Sequence, residues 1–421
     1  MKKNTTPVKT RSGLIAALDI GSTKVACLIA RAEAGRELEI VGVGHQSSQG
    51  VRGGAVVDLD AVERSIRATV ESAEKMAGEN IKTVTVNVTG GYPRSRLIAY
   101  EIALAGHAIG DADLRRLMDP VDIHGEKAGD REILHAIPVG YSIDGNRGVR
   151  DPRGMYGQRL AVNMHLISAE GGAMRNVRTA VSSCHLDVAN RVAGPYAAAL
   201  GSLRDDQRKL GATIIDMGGG TTSIATFFDD ELVFVDVTPV GGCHVTNDIA
   251  VGLSTPISQA ERMKTLWGSV IAGPGDDREI IDVPMVGEEQ TGETMTIARS
   301  MLVGIIRPRL EETFELIRDR LESVGLGRGH GPNVLLTGGA SQLPGVADLA
   351  AAVLETSVRT IRPRPAKGLA EAASGPAFAS CLGLLHYANT NSWEVDERVF
   401  HLKEEPKSRL ARIGHWIREN L

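Results

Sequence analysis

Ile214-Ile215-Asp216-Met217-Gly218-Gly219-Gly220-Thr221-Thr222-Ser223-Ile224-Ala225 is the stretch on which the reading of this chain turns. An apolar run from Ala212 to Ile215 delivers a carboxylate and three glycines into a turn, and two hydroxyls follow before an apolar strand resumes. That order predicts a β-hairpin whose tip grips phosphate. Glycines let backbone N–H groups approach an anion and adopt positive φ, and an acid at the strand end can hold a hydrated Mg²⁺. No Lys-Ser/Thr follows the glycines and no helix opens on them, which excludes a P-loop and a dinucleotide fingerprint.

A second copy lies near the N-terminus: Leu14-Ile15-Ala16-Ala17-Leu18-Asp19-Ile20-Gly21-Ser22-Thr23-Lys24-Val25-Ala26. Either hairpin alone is a weak signal, but the pair implies two similar half-domains facing one cleft. A third Gly-rich turn, Leu335-Leu336-Thr337-Gly338-Gly339-Ala340-Ser341, completes the set.

In order and spacing, these segments resemble the two phosphate loops and the adenosine loop of the actin, Hsp70 and sugar-kinase superfamily. The resemblance implies an α/β, actin-like (ribonuclease H-like) fold, with duplicated βββαβαβα halves around a cleft for ATP and Mg²⁺. On it, Asp19 and Asp216 would order Mg²⁺ through water. Gly21, Ser22, Thr23, Gly218, Gly219, Gly220, Thr221 and Thr222 would supply donors to phosphate, and Gly338, Gly339, Ala340 and Ser341 would wall the adenosine. Lys24 either neutralises phosphate charge or points to solvent. Asp216 could also orient an attacking water, but nothing in the sequence marks a separate general base, so binding is expected and slow hydrolysis is left open.

With 421 residues the chain exceeds one hydrophobic core and suggests two to four compact units. Its net charge of −5 gives no general electrostatic case for nucleic acid. Cys27, Cys184, Cys243 and Cys381 are scattered without metal-ligand spacing and read as buried thiols of a reducing compartment. Residues 1–12 are basic and polar, unlike a signal peptide, and no window approaches the ~20 apolar residues of a transmembrane helix. The expected body is cytosolic.

Asp60 is positioned to cap a helix whose apolar residues Val62, Ile66, Val70 and Ala73 recur at three and four residues, ending at Gly78. After the strand Thr83 to Thr89 the half-domain is interrupted. Residues 90–159 are rich in Gly, Arg and Asp, with a helix near Asp111 to Met118 and strands near Ile133 to Tyr141 and Leu160 to Ile167. In the second half, Gly241 and Gly242 precede a helix and either aim its first amides at phosphate or merely permit tight packing. Glu261 and Lys264 share one helical face, which reads as solvated surface. Thr296 is placed to cap a long helix containing Pro308, whose Arg299, Arg307 and Arg309 either pair with Glu311, Glu312 and Glu315 or form a basic face.

The tail has its own pattern. After a polar stretch of mixed charge, Leu410, Ile413, Ile417 and Leu421 form one narrow apolar stripe with Trp416 at its edge, while Arg409, Arg412 and Arg418 spread over the remainder. A short basic amphipathic helix of this kind suits an anionic membrane surface; docking back on the body is the alternative.

The interruption, with Gly90-Gly91-Tyr92-Pro93-Arg94-Ser95 at its entrance and Met155-Tyr156-Gly157 near its exit, resembles the inserted interaction subdomain of the bacterial FtsA family. That family resemblance implies an ATP-binding protein that polymerises with itself, tethers filaments of the tubulin-like FtsZ to the inner face of the cytoplasmic membrane at the septum, and recruits later division proteins through residues 90–159. It also implies that Glu261 and Lys264 flank the ribose and base, and that Arg299, Arg307 and Arg309 meet the acidic FtsZ tail. The expected partition is a disordered N-terminus (1–12), a first core subdomain (13–89 with 160–194), the insertion (90–159), a second core subdomain (195–240 with 306–388), a small second-half subdomain (241–305), a flexible linker (389–407) and a membrane-targeting helix (408–421). A soluble ATPase or small-molecule kinase of the same superfamily is the rival reading; a kinase needs neither the linker nor the amphipathic tail, and an actin-like chaperone or pilus-assembly ATPase would share the three loops but not the insertion.

Overall fold

The computed structural model describes residues 13–32, 38–118, 130–287, 294–327 and 333–390. Residues 1–12, 391–421 and most of the expected linker lie outside these, as do all the tail residues named above, from Arg409 to Leu421. The chain forms two compact units. One is drawn from Met1–Ile98, Gly129–Leu134 and His165–Ser392, the other chiefly from Ala99–Ala128 and His135–Met164.

The larger unit holds two five-stranded sheets of one topology. In the first, β1 (Leu14–Ile20), β2 (Lys24–Arg31) and β3 (Glu39–Ser47) form an antiparallel meander. After a short hairpin of β4 (Val51–Arg52) and β5 (Ala55–Val56), helix α1 (Leu59–Ala77) crosses back to β6 (Thr83–Val88), which runs parallel to β1. Asp58, not Asp60, caps α1: its side chain accepts from the Ala61 N–H, and the helix starts at Leu59, two residues earlier than expected, directly after a turn in which the Val57 and Asp58 amides donate to Gly50 O. Gly78 ends the helix at φ 72°, a conformation glycine adopts without strain. Gly42 and Gly44 on β3 lie directly under α1, where any Cβ would collide with the carbonyls of Ala73 and Thr69.

The smaller unit takes the second half of β7 (Arg94–Ala103), most of β8 (Arg131–Ile143), all of β9 (Asn146–Val149) and the first half of β10 (Arg159–Glu170), in the sheet order β7-β10-β8-β9, together with α2 (Asp111–Leu117). Its edges fall inside β7, β8 and β10, whereas the sequence set the insertion at 90–159 from composition. Leu114 and Leu117 bury the inner face of α2.

The chain returns through α3 (Gly171–Ser183) to β11 (Asp187–Ala193), parallel to β6, closing the order β11-β6-β1-β2-β3. Helix α4 (Gly194–Ser202), with Pro195 in its first turn where the missing N–H costs nothing, and the short α5 (Asp205–Leu210) lead to the second sheet. There β12 (Ala212–Met217), β13 (Thr222–Phe228) and β14 (Glu231–Thr238) repeat the meander. Helices α6 (Gly242–Gly252) and α7 (Ile257–Trp267), the hairpin of β15 (Ile280–Pro284) and β16 (Thr294–Ala298), and α8 (Arg299–Ser323) come next. Thr296 does not cap α8. It pairs with Asp282 inside the hairpin, so the helix starts only after Ala298, and it continues through the exposed Pro308.

Strands β17 (Asn333–Thr337) and β18 (Val358–Thr360) add in parallel, giving the order β14-β13-β12-β17-β18, with α9 (Val346–Leu354) between them and α10 (Ala379–Asn389) last. Numbered from each first strand, both sheets read 3-2-1-4-5. The two halves cross-pack: α10 lies on β1 and β2, while α4 lies on β12, β13 and β14. The helices themselves meet glycine to glycine, for a Cβ on Gly383 would overlap the Ala197 carbonyl and one on Gly201 the Ala379 carbonyl. Phe314, fully buried under the second sheet, shows the scale of the core, a side chain of that size contributing ~2–3 kcal/mol.

Candidate functional site

Both hairpins close in the same way. Asp19 pairs with Ala26 and Asp216 with Ser223 in matching register, and the Gly21 and Gly218 amides donate to the Lys24 and Thr221 carbonyls, each at 2.9 Å. The tips abut. A Cβ on Gly219 would collide with the Thr23 side chain and one on Gly220 with Ser22, so the glycines of the second tip leave the room that Ser22 and Thr23 occupy. Ser22 Oγ accepts from the Gly54 amide at 2.9 Å, which ties the first tip to the β4–β5 turn.

Two carboxylates therefore share one floor. Burial pushes the Asp19 carboxyl above its usual range, against the pull of the Lys24 charge. Burial likewise raises Asp216, to about 6, with the Asp19 charge adding to it and a hydrogen bond from Ser380, together with the Lys24 charge, opposing it. The Lys24 ammonium does not point to solvent. It donates to the Ala377 carbonyl and sits 3.4 Å from the centre of the Phe378 ring, while burial lowers its pKa against the attraction of Asp19.

Among the described residues none accepts a hydrogen bond from the amides of Ser22, Thr23, Gly219 or Gly220. Nor does any group of three or more His, Cys, Asp or Glu converge there. Unengaged amides beside two carboxylates and a lysine fit a hydrated Mg²⁺ with polyphosphate, since Mg²⁺ is usually held by one or two carboxylates, water and phosphate oxygens.

Other expected donors are engaged within the protein. The Thr222 hydroxyl is fully buried and donates to the Val240 carbonyl at 2.7 Å. The first amides of α6 are aimed at the hairpin: Gly242 N–H donates to Gly218 O at 2.9 Å and Cys243 N–H to Gly219 O at 2.7 Å. A helix N-terminus thus supports the second hairpin by donating to its carbonyls, and Gly241 has to be glycine because a Cβ would lie 2.7 Å from both carbonyls.

Glu261 and Lys264 are not plain solvated surface. Lys264 Nζ contacts Glu261 Oε2 at 2.6 Å, Thr246 Oγ1 at 2.8 Å and Gly242 O at 3.0 Å. A Cβ on Gly242 would sit 3.2 Å from Ala340 Cβ, so the third loop closes on this same corner. In that loop Gly338 takes φ 87°, its amide donates to Pro376 O, and the buried Ser341 hydroxyl donates to Gly338 O at 2.8 Å.

The three arginines of α8 all hold carboxylates of this chain. Arg299 binds Asp276 at 2.9 Å and the Trp267 carbonyl, which fastens the small subdomain to the helix. Arg309 grips Asp248 with two nitrogens and also meets Glu312. Arg307 pairs with Glu311 alone, on an exposed face.

The sequence reading missed Pro376, Ala377, Phe378 and Ser380, although they touch Gly338, Lys24 and Asp216. A run of small and hydroxyl-bearing residues after Gly375-Pro376 was the only available signal. Cys243, read from sequence as a buried thiol, lies half-buried beside Lys264 with its pKa raised by burial.

Comparisons with known proteins agree with this architecture. A family model for cell division protein FtsA matches residues 213–383, and one for the SHS2 domain inserted in FtsA matches residues 90–168. The cell division protein FtsA of Agrobacterium fabrum is 41% identical, covering 97% of this chain and 95% of its own; that of Escherichia coli is 30% identical, covering 96% of each. Among solved structures, a PilM-PilN type IV pilus biogenesis complex superposes with a TM-score of 0.63 at 16% identity, over 89% of this chain and 98% of the other. MreB5 of Spiroplasma citri bound to ADP gives 0.51 at 12% identity, over 90% and 96%. At such identities these likenesses establish the actin-like fold alone, and it is the identity to the curated relatives, sustained over nearly the full length, that places this chain in the FtsA family of cell division proteins.

Proposed function

We propose that this chain binds ATP with Mg²⁺ between its two hairpins, polymerises, tethers FtsZ filaments to the inner face of the cytoplasmic membrane at the septum through residues 408–421, and recruits later division proteins through residues 90–159. The observation that carries the reading is the pair of abutting hairpins, with Asp19, Asp216 and Lys24 on one floor and unengaged amides above it. Asp19 and Asp216 would hold Mg²⁺ through water, which supplies charge neutralisation for the phosphates. Ser22, Thr23, Gly219 and Gly220 would donate to phosphate oxygens. Lys24 would exchange the Ala377 carbonyl for phosphate. Glu261, Lys264 and the loop from Gly338 to Ser341 would hold ribose and base. No helix among the described residues is long and apolar enough to cross a membrane.

Of the three arginines, Arg307 best suits the acidic FtsZ tail, because an exposed pair worth at most about 1 kcal/mol exchanges readily for a partner carboxylate. Polymerisation would strengthen attachment by presenting many weak helices together. Co-sedimentation with anionic liposomes, in ATP and Mg²⁺, with and without residues 408–421, tests the tether. Pelleting of the full chain alone is expected; if both forms stay in solution, a soluble ATPase of the same fold becomes the better reading.

A further inference from the structure

We propose that Ser380 is a positioning residue for Asp216: its hydroxyl fixes one oxygen of that carboxylate and so presents the other to a hydrated divalent cation bound with a nucleoside triphosphate. The inference rests on the nucleotide reading above. Ser380 Oγ donates to Asp216 Oδ2 at 3.1 Å. The other oxygen, Oδ1, lies over the bare Cα of Gly338, where any Cβ would collide with it. A donor on one side and a missing side chain on the other define the plane of the carboxylate.

The hydroxyl is also rigidly carried. Ser380 stands in the first turn of α10, and the buried face of that helix, with Cys381, Leu382, Leu384 and Leu385, packs among Ala17, Ala26 and Leu28 of the first sheet. Asp216 belongs to the second sheet. The bond therefore crosses the floor of the cleft, and it does so beside the contacts of Lys24 with Ala377 and Phe378. One segment, 376–380, holds the cation of the first hairpin and the carboxylate of the second. A neutral hydroxyl orients Asp216 without cancelling its charge, while the Lys24 ammonium acts on Asp19 and Asp216 alike. The second carboxylate is thus the one held in place by a side chain carried on the opposite half.

The test uses the full-length chain as wild type, Ser380→Ala and Ser380→Thr, with ATP affinity measured by titration calorimetry in Mg²⁺ and again in EDTA, and the unfolding midpoint recorded for each. Ser380→Ala is expected to weaken ATP binding about tenfold in Mg²⁺ and by less than about twofold in EDTA, with Ser380→Thr restoring the Mg²⁺ value. Equal weakening in both buffers, no weakening, or failure of threonine to restore binding overturns the positioning role. If Ser380→Ala does not fold, Ser380→Cys takes its place, with the same outcomes. Wild type that binds no ATP in either buffer defeats the nucleotide reading itself, a result distinct from wild type that binds while Ser380→Ala behaves identically.

Discussion

The two hairpin tips share a backbone and have opposite surfaces. In matching register, Ser22 and Thr23 of the first stand where Gly219 and Gly220 of the second stand, and the side chains of one fill the space left bare by the other. Lys24 likewise matches Thr221, so the first tip brings a cation and the second does not. The supports differ too. The first tip is tied by the amides of Ser48 and Gly54, the second by the N-terminus of α6. A duplicated fold gains an asymmetric site in this way, because two identical tips would either collide or leave a gap, and two lysines would repel across the floor.

That comparison can be broken at its frame. Gly383→Ala places a methyl into the Ala197 carbonyl at the α4–α10 crossing, with backbone on the opposing side that cannot rotate away. A loss of about 3 kcal/mol is expected from denaturant midpoints. An unchanged midpoint would mean that the halves are not held together at this crossing.

The crossing helices differ in chemistry as well. Helix α10 carries His386, whose pKa is lowered to about 4 by burial and by the charges of Arg364 and Arg208, against Asp205, while α4 has no group titrating near neutrality. A base with a depressed folded pKa loses stability as pH falls, since the unfolded chain takes the proton first. Stability should therefore drop by about 2 kcal/mol between pH 6.5 and 4. His386→Gln should flatten that part of the pH profile, and an identical profile in the variant would remove His386 as its source.

A smaller effect sharpens the account of the tips. Gly220→Ala brings a Cβ onto Ser22 and to 3.0 Å from Gly53 Cα, and should cost about 1–2 kcal/mol in thermal unfolding. Adding Ser22→Gly should recover most of it; no recovery would show that the tips do not interlock as described. The smallest effect concerns the second half's small subdomain, where the first half has only the β4–β5 hairpin and α1. Arg309→Ala, losing the two-nitrogen grip on Asp248, should cost about 1 kcal/mol, and Arg307→Ala less than about 0.5 kcal/mol. Equal losses would show that the exposed pair is as fixed as the held one.

Several elements were legible because the signal is local. Gly78 ends α1 and the Asp-Gly-hydroxyl runs make the hairpins, each through backbone conformations and donors that the residues bring with them. Strand β7 was not read, since Arg94, Arg96 and Glu101 obscure its alternation. The start of α8 was misplaced because the pairing of Thr296 depends on Asp282, a residue on the other arm of the hairpin.

By itself, then, the sequence determined the duplication and the hairpin tips, which follow from short-range backbone preferences repeated along the chain, and the order of those tips carried the resemblance to an actin-like superfamily. Only the tertiary structure decided which donors remain for a ligand. The α6 amides turn to the Gly218 and Gly219 carbonyls, the Thr222 hydroxyl turns to Val240, and Ser380 reaches Asp216 from a helix that packs on the opposite sheet. Buried polar groups take whatever partner folding brings within reach, and those partners come from parts of the chain that no local pattern connects.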